Sequence, residues 1–231
     1  MRQTAEGLRT EGLWISLADV VLGRSCAGCD EPGIVLCRQC ARSLRPKPRL
    51  RRSVDMGEIA QGLHLPVVCS LDYRGAVRQV LYRFKDHRIP QLAHALGPAL
   101  ASSIDFAADR TGLDPSELTL ALMPTRRSTA RRRGFDSIRS LAGVAVREVP
   151  VASICSPLVD TRRAGASKTL GVWERHRAVA GAFALAGQPP PGPVVLVDDI
   201  VTTGATAREA AATLMTAGVY VVAVVTVAGT P

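Results

Sequence analysis

The sequence predicts an α/β fold: a mostly parallel sheet with helices on both faces, and a small N-terminal module of four cysteines. Three observations predict it. From about Pro66 onward, short apolar runs alternate with amphipathic stretches, the pattern of successive βα units. Hydrophobic residues fill 47% of the 231 positions, enough for one sizeable core and a small satellite. The first 52 residues depart from that pattern, with two CxxC pairs and then a run of arginine and proline. The expected division is therefore residues 1–52 for an N-terminal helix, a cysteine module and a basic linker, and residues 53–231 for the sheet domain.

Leu13, Trp14, Leu17, Val20 and Val21 recur at helical spacing, but Glu11 and Asp19 interrupt them. This reads as an amphipathic helix and not as a signal-peptide core. Cys26-Ala-Gly-Cys29 and Cys37-Arg-Gln-Cys40 follow, separated by seven residues. Each pair can present two thiolates to one metal, and four thiolates make a closed tetrahedral site suited to structural Zn²⁺. Paired disulfides and an iron–sulfur cluster are the alternatives. The metal would replace a core that about 25 residues cannot build. Arg45 to Arg52 holds five basic residues and two prolines and reads as an extended linker or a polyanion-binding arm. Cys69 and Cys155 lie in apolar runs, as small core residues do.

In the sheet domain, Val67–Leu71 reads as a strand, and Val77, Val80, Leu81 and Phe84 form a helical stripe. Residues 92–108 and 135–149 read as helices and Leu118–Met123 as a strand. Gly187–Pro193 is a stiff loop that feeds a strand at Val194–Val197. A helix over 206–217 and a strand over 220–227 close the chain.

The run Val194-Val-Leu-Val-Asp-Asp-Ile-Val-Thr-Thr-Gly-Ala-Thr206 carries the chemistry. It places Asp198 and Asp199 at the end of a buried strand, where open α/β sheets bind ligands. Thr202, Thr203, Gly204, Ala205 and Thr206 then open a helix whose free N–H groups suit a phosphate. A ribose 5-phosphate satisfies both halves: phosphate on the loop, 2- and 3-hydroxyls on the acids. A second anionic site follows the strand Leu118–Met123. There Thr125, Arg126 and Arg127 begin a segment with five arginines in the eight positions 126–133, Arg133 included. Guanidinium groups pair with pyrophosphate in bidentate fashion, and they serve nucleic-acid phosphates equally. The net charge of +9 suits either polyanion.

All thirteen positions of the 194–206 run resemble the phosphoribosyl-pyrophosphate (PRPP) signature of type I phosphoribosyltransferases. The resemblance widens along the chain. The paired CxxC motifs, Tyr73-Arg74-Gly75, Phe84-Lys85, Met123-Pro124-Thr125, Arg133-Gly134-Phe135, Arg175, Gly181-Ala182-Phe183 and the Asp198–Thr206 run occur in the order of the ComF family. Those proteins are competence-associated and phosphoribosyltransferase-like. Asp136-Ser137, Lys168 and Ala178 stand where that family usually has other polar residues. The resemblance implies PRPP with Mg²⁺ as ligand and Lys85 as a further polyanion contact. A cytoplasmic location is expected by default, since no targeting segment is read in the sequence. Thr202 stands where purine-salvage relatives carry an acid, which disfavours a 6-oxopurine acceptor. Two readings follow: transfer of phosphoribosyl to an unidentified acceptor, or handling of single-stranded DNA with the fold used for binding alone. No apolar run is long enough to span a bilayer as a helix, and the sequence leaves the oligomeric state open.

Overall fold

The computed structural model describes residues 25–56, 60–124, 135–161 and 181–230. The expected N-terminal helix lies outside them. Within the cysteine module, α1 (Arg38–Ser43) starts inside the second CxxC, with Cys37 as its N-cap and Cys40 on its buried face. The sheet strands are β1 (Arg49–Asp55), β2 (His64–Asp72), β3 (Thr119–Leu122), β4 (Ser153–Cys155), β7 (Val194–Val201) and β8 (Val221–Gly229), in the spatial order β1-β2-β8-β7-β3-β4. All neighbours run parallel except β1, which is antiparallel to β2 at one edge. Two short strands, β5 (Leu158–Asp160) and β6 (Phe183–Leu185), form a separate antiparallel pair. The helices of this part are α2 (Gly75–Asp86), α3 (Ala93–Thr111), α4 (Ser137–Ala145) and α5 (Ala205–Thr216).

Strand β8 is buried at all nine of its positions. Only a central parallel strand with both sheet faces covered takes that pattern. Helix α3 packs on β2 and β8 and against α4, while α5 packs on β7, β8 and β1. The crossing of α3 and α4 depends on Gly97, where an added Cβ would lie 2.3 Å from Val144 Cγ1. Val77, Val80, Leu81 and Phe84 are all buried, so the stripe read from sequence is the core face of α2. Ser103 brings the main polar group into this core. Its Oγ lies 2.8 Å from Ser70 Oγ and 2.9 Å from the Thr226 carbonyl, which satisfies a hydroxyl that would otherwise be costly to bury.

Two elements differ from expectation in ways that matter for the site. The segment read as a linker is extended, but Arg49–Arg52 belong to β1 and pair with β2. β1 therefore spans both sides of the boundary expected at residue 52. The signature strand also runs four residues further than expected, to Val201. Its partner β3 ends at the pair Leu122↔Val197, while β8 accompanies it to Val201↔Gly229. Asp198 and Asp199 thus lie just beyond the end of β3, and among the described residues β8 is the strand that flanks them.

Candidate functional site

The end of β7 and the start of α5 build one concave corner. Asp198, Thr202, Thr203, Gly204 and Thr206 line a small cavity of about 50 Å³, closed behind by Val224 and Thr226 of β8. Gly204 is the N-cap of α5, at φ 83°. A side chain there would be strained by the backbone alone, and its Cβ would meet Val54 Cγ2 at 3.3 Å. Gly204 has no side chain to cap the helix; Thr203 Oγ1 accepts the Ala205 N–H at 3.4 Å, which leaves the other donors of the first turn to a ligand. The loop is fixed from behind: Thr230 N–H donates to the Val201 carbonyl at 3.0 Å, and Thr230 Oγ1 to that of Thr202 at 3.3 Å.

The two acids have different surroundings. Asp199 is buried and forms an ion pair with Lys85, from the last turn of α2. Asp198 is half-buried and accepts the Asp199 N–H at 2.8 Å. Desolvation, reinforced by the neighbouring Asp199 carboxyl, pushes Asp198 up to about 8, against the opposing pull of Lys85 and of that N–H. Asp198 is therefore shifted toward its protonated form, in which it can donate as well as accept. The sequence placed Lys85 among the polyanion contacts; the structure joins it to Asp199.

Sequence reasoning missed the contribution of β1. Arg51 Nε donates to the Thr230 carbonyl at 2.6 Å. Arg52 Cδ lies 3.6 Å from the position a Gly204 Cβ would take. Arg208 of α5 reaches back to the Asp55 carbonyl at 2.9 Å. The edge strand thus wraps the phosphate-ready loop. A sequence signal existed in the density of arginine after Arg45, but the two prolines and the absence of alternation hid the strand. Among the described residues, the buried side-chain nitrogens that lack a hydrogen-bond partner are Arg49 Nε, Arg51 Nη2 and Arg52 Nε. Each is a donor whose desolvation costs about 1–3 kcal/mol or more when unanswered.

The four module cysteines come together as their spacing required. The Sγ atoms of Cys26, Cys29, Cys37 and Cys40 all lie within 4.8 Å of one another. A tetrahedral ion with sulfur ligands at about 2.3 Å sets its sulfurs about 3.8 Å apart, and Cys29 Sγ and Cys37 Sγ are 3.7 Å apart. All four are free cysteines, so neither pair is a disulfide. Burial pushes the Cys26 thiol up, but N–H groups of Cys37 and Gly28, donating at 3.3 and 3.4 Å, outweigh it and bring the thiol to about 7. The set fits a structural metal such as zinc. It is also tied to the main domain: Arg83 of α2 donates to Ser25 Oγ at 3.2 Å and to the Cys26 carbonyl at 3.1 Å, and pairs with Asp30.

Thr125, Arg126, Arg127, Arg133 and the other arginines of that segment lie outside the described residues, as do Lys168, Arg175, His176 and Ala178. The ends of the arginine segment are in view. Pro124 follows β3, and Phe135 meets Phe84, the neighbour of Lys85, edge to face at 5.5 Å between ring centroids. Asp136 accepts the Arg139 N–H at 3.0 Å as the N-cap of α4, and Ser137 is buried.

The chain is similar to the DNA utilization protein YhgH of Escherichia coli O157:H7, at 26% identity over 199 residues, 86% of this chain and 81% of that protein. It is similar to the protein of the same name from Salmonella typhimurium, at 26% over 200 residues with the same coverage. No protein-family model matches. Among the described residues no helix is long and apolar enough to cross a membrane.

Proposed function

We propose that the corner formed by Asp198, Asp199 and Thr202–Thr206 binds the ribose 5-phosphate portion of PRPP, in a chain of the ComF kind. The observation that carries this is that Asp198 and the start of α5 line one cavity at the C-terminal end of β7, with Asp199 next along the strand and paired with Lys85. The phosphate takes the N–H donors of α5. The sugar hydroxyls take Asp198 and Asp199, one shifted toward its protonated form and the other held by Lys85. The Mg²⁺ that accompanies a pyrophosphate ligand would favour the ionised Asp198, whose hard oxygens fit it once the proton is lost. Thr125, Arg126, Arg127 and Arg133 serve the pyrophosphate: their segment leaves β3 where Met123 N–H donates to the Val197 carbonyl, just before Asp198, and returns at Phe135, which packs on Phe84 next to Lys85 in sequence. Cys26, Cys29, Cys37 and Cys40 hold Zn²⁺, outside the chemistry.

Calorimetry with PRPP and Mg²⁺ tests the reading, with ribose 5-phosphate as competitor. Asp199→Asn should weaken binding by about one to two decades, for a lost charged hydrogen bond of about 1.5–3 kcal/mol. Equal affinity in wild type and variant would remove PRPP from this site. Pyrophosphate release with a panel of bases then separates a transferase from a binding protein.

A second reading, handling of single-stranded nucleic acid, is favoured by the net charge of +9 and by relatives that carry the name DNA utilization protein.

A further inference from the structure

We propose that the β1 arginines, with the cleft they share with α1 and the start of α2, form a track for the sugar–phosphate backbone of a single-stranded nucleic acid. The proposal rests on the second reading above and gives it a place on the molecule.

The cleft has a volume of about 400 Å³ and is lined by Arg42, Arg45, Lys47, Arg49 and Arg74, with Asp72 as its carboxylate. That single carboxylate is already shared, lying 3.0 Å from Arg49, 3.3 Å from Arg51 and 3.4 Å from Arg74. The positive charge is far from neutralised. From the cleft the charge continues along β1 through Arg51 to Arg52, which lies beside Gly204. A shift of register between Leu50 and Arg52 marks a bulge at Arg51, and bulges re-aim a side chain.

Arginine on an edge strand has a bland explanation, since charge there discourages pairing with another chain. That role needs solvated charge. Here, among the described residues, three guanidinium nitrogens are buried with no partner, all of them on β1. Natural structures leave such donors unanswered where something else fills them. The donors call for an acceptor with several oxygens, and a phosphate supplies them in the geometry a guanidinium prefers. A row of cations spread from α1 to Gly204 suits a polymer of phosphates better than one ion. A cleft of this size takes one backbone and not a paired helix.

The test is binding of a fluorescent oligothymidine, followed by anisotropy against salt, on the full metal-bound chain. Arg42→Gln, Arg45→Gln and Lys47→Gln change exposed residues and should leave folding and PRPP affinity intact. Together they should weaken the oligonucleotide about tenfold or more and flatten the log–log salt slope by about 2. Arg52→Met should weaken it too while the unfolding temperature holds or rises, because an unanswered donor is removed. Wild-type protein that binds no oligonucleotide would overturn the nucleic-acid reading and this placement with it. Binding unchanged in the triple variant and in Arg52→Met would overturn the placement alone. So would tighter binding of a duplex, or full displacement by pyrophosphate at an equal concentration of phosphate groups.

Discussion

Asp198 shows how one backbone position sets the chemistry of a site. A carboxyl at a solvated strand end would ionise near its usual 3.8, but desolvation and an adjacent acid move it to about 8. The folded chain then binds a proton that the unfolded chain has released, so stability falls as pH rises between those two values. Asp198→Asn keeps the acceptor for the Asp199 N–H and removes the titration. Its unfolding temperature should gain on that of wild type as pH is raised from about 5 to about 8; parallel pH profiles would show that Asp198 ionises normally. Gly204 is the other decisive residue. Its positive φ makes Gly204→Ala cost about 1–2 kcal/mol, or roughly 2–8 °C in unfolding temperature for a chain of this size. The nearby Val54 adds to that cost. A variant as stable as wild type would mean that the loop relaxes into another conformation.

Helix α2 links two sites that look unrelated in the sequence. Near its C-terminal end Arg83 grips the first cysteine knuckle, and two residues later Lys85 pairs with Asp199. The start of the helix packs on the same cluster through Ala76. Arg83→Ala should therefore lower PRPP affinity several-fold while zinc content stays as in wild type. If PRPP affinity is unchanged, the core contacts of Val77, Val80, Leu81 and Phe84 hold the helix unaided. The stripe of α2 was legible because its apolar spacing is helical and each of those residues is buried. Strand β1 was not legible. Its inward position Val54 is outnumbered by arginines, whose aliphatic stems can line a sheet edge while the sequence reads as solvated charge. The short β4, β5 and β6 carry three residues each, too few for periodicity to register. The acids and the loop were legible because strand, carboxylates and helix start are contiguous. Lys85 and Arg52 were brought there by tertiary packing, and no local pattern announces that.

At the scale of the molecule, the cysteine module and the sheet share material. Ala27 of the first knuckle and Leu44 just after α1 are buried in the main hydrophobic core. Leu44 leads directly into the segment that becomes β1, and β1 in turn supports Gly204. Read as a sequence, the module is a satellite that a metal holds together. In the fold it is one wall of the core and the start of the sheet's edge. Loss of the metal should therefore be felt beyond the cysteines. Exposing a residue such as Leu44 forfeits about 1.5–3 kcal/mol, which corresponds to roughly 3–12 °C for a domain of this length. Stripping the metal with a chelator, or replacing Cys37 by serine, should lower the main unfolding transition by that order and loosen PRPP binding with it. The measurement is calorimetric unfolding of the metal-bound and metal-free chains, side by side. A sheet transition that stays in place while only the module melts would separate the two units, and α2 would then owe its position to the sheet alone.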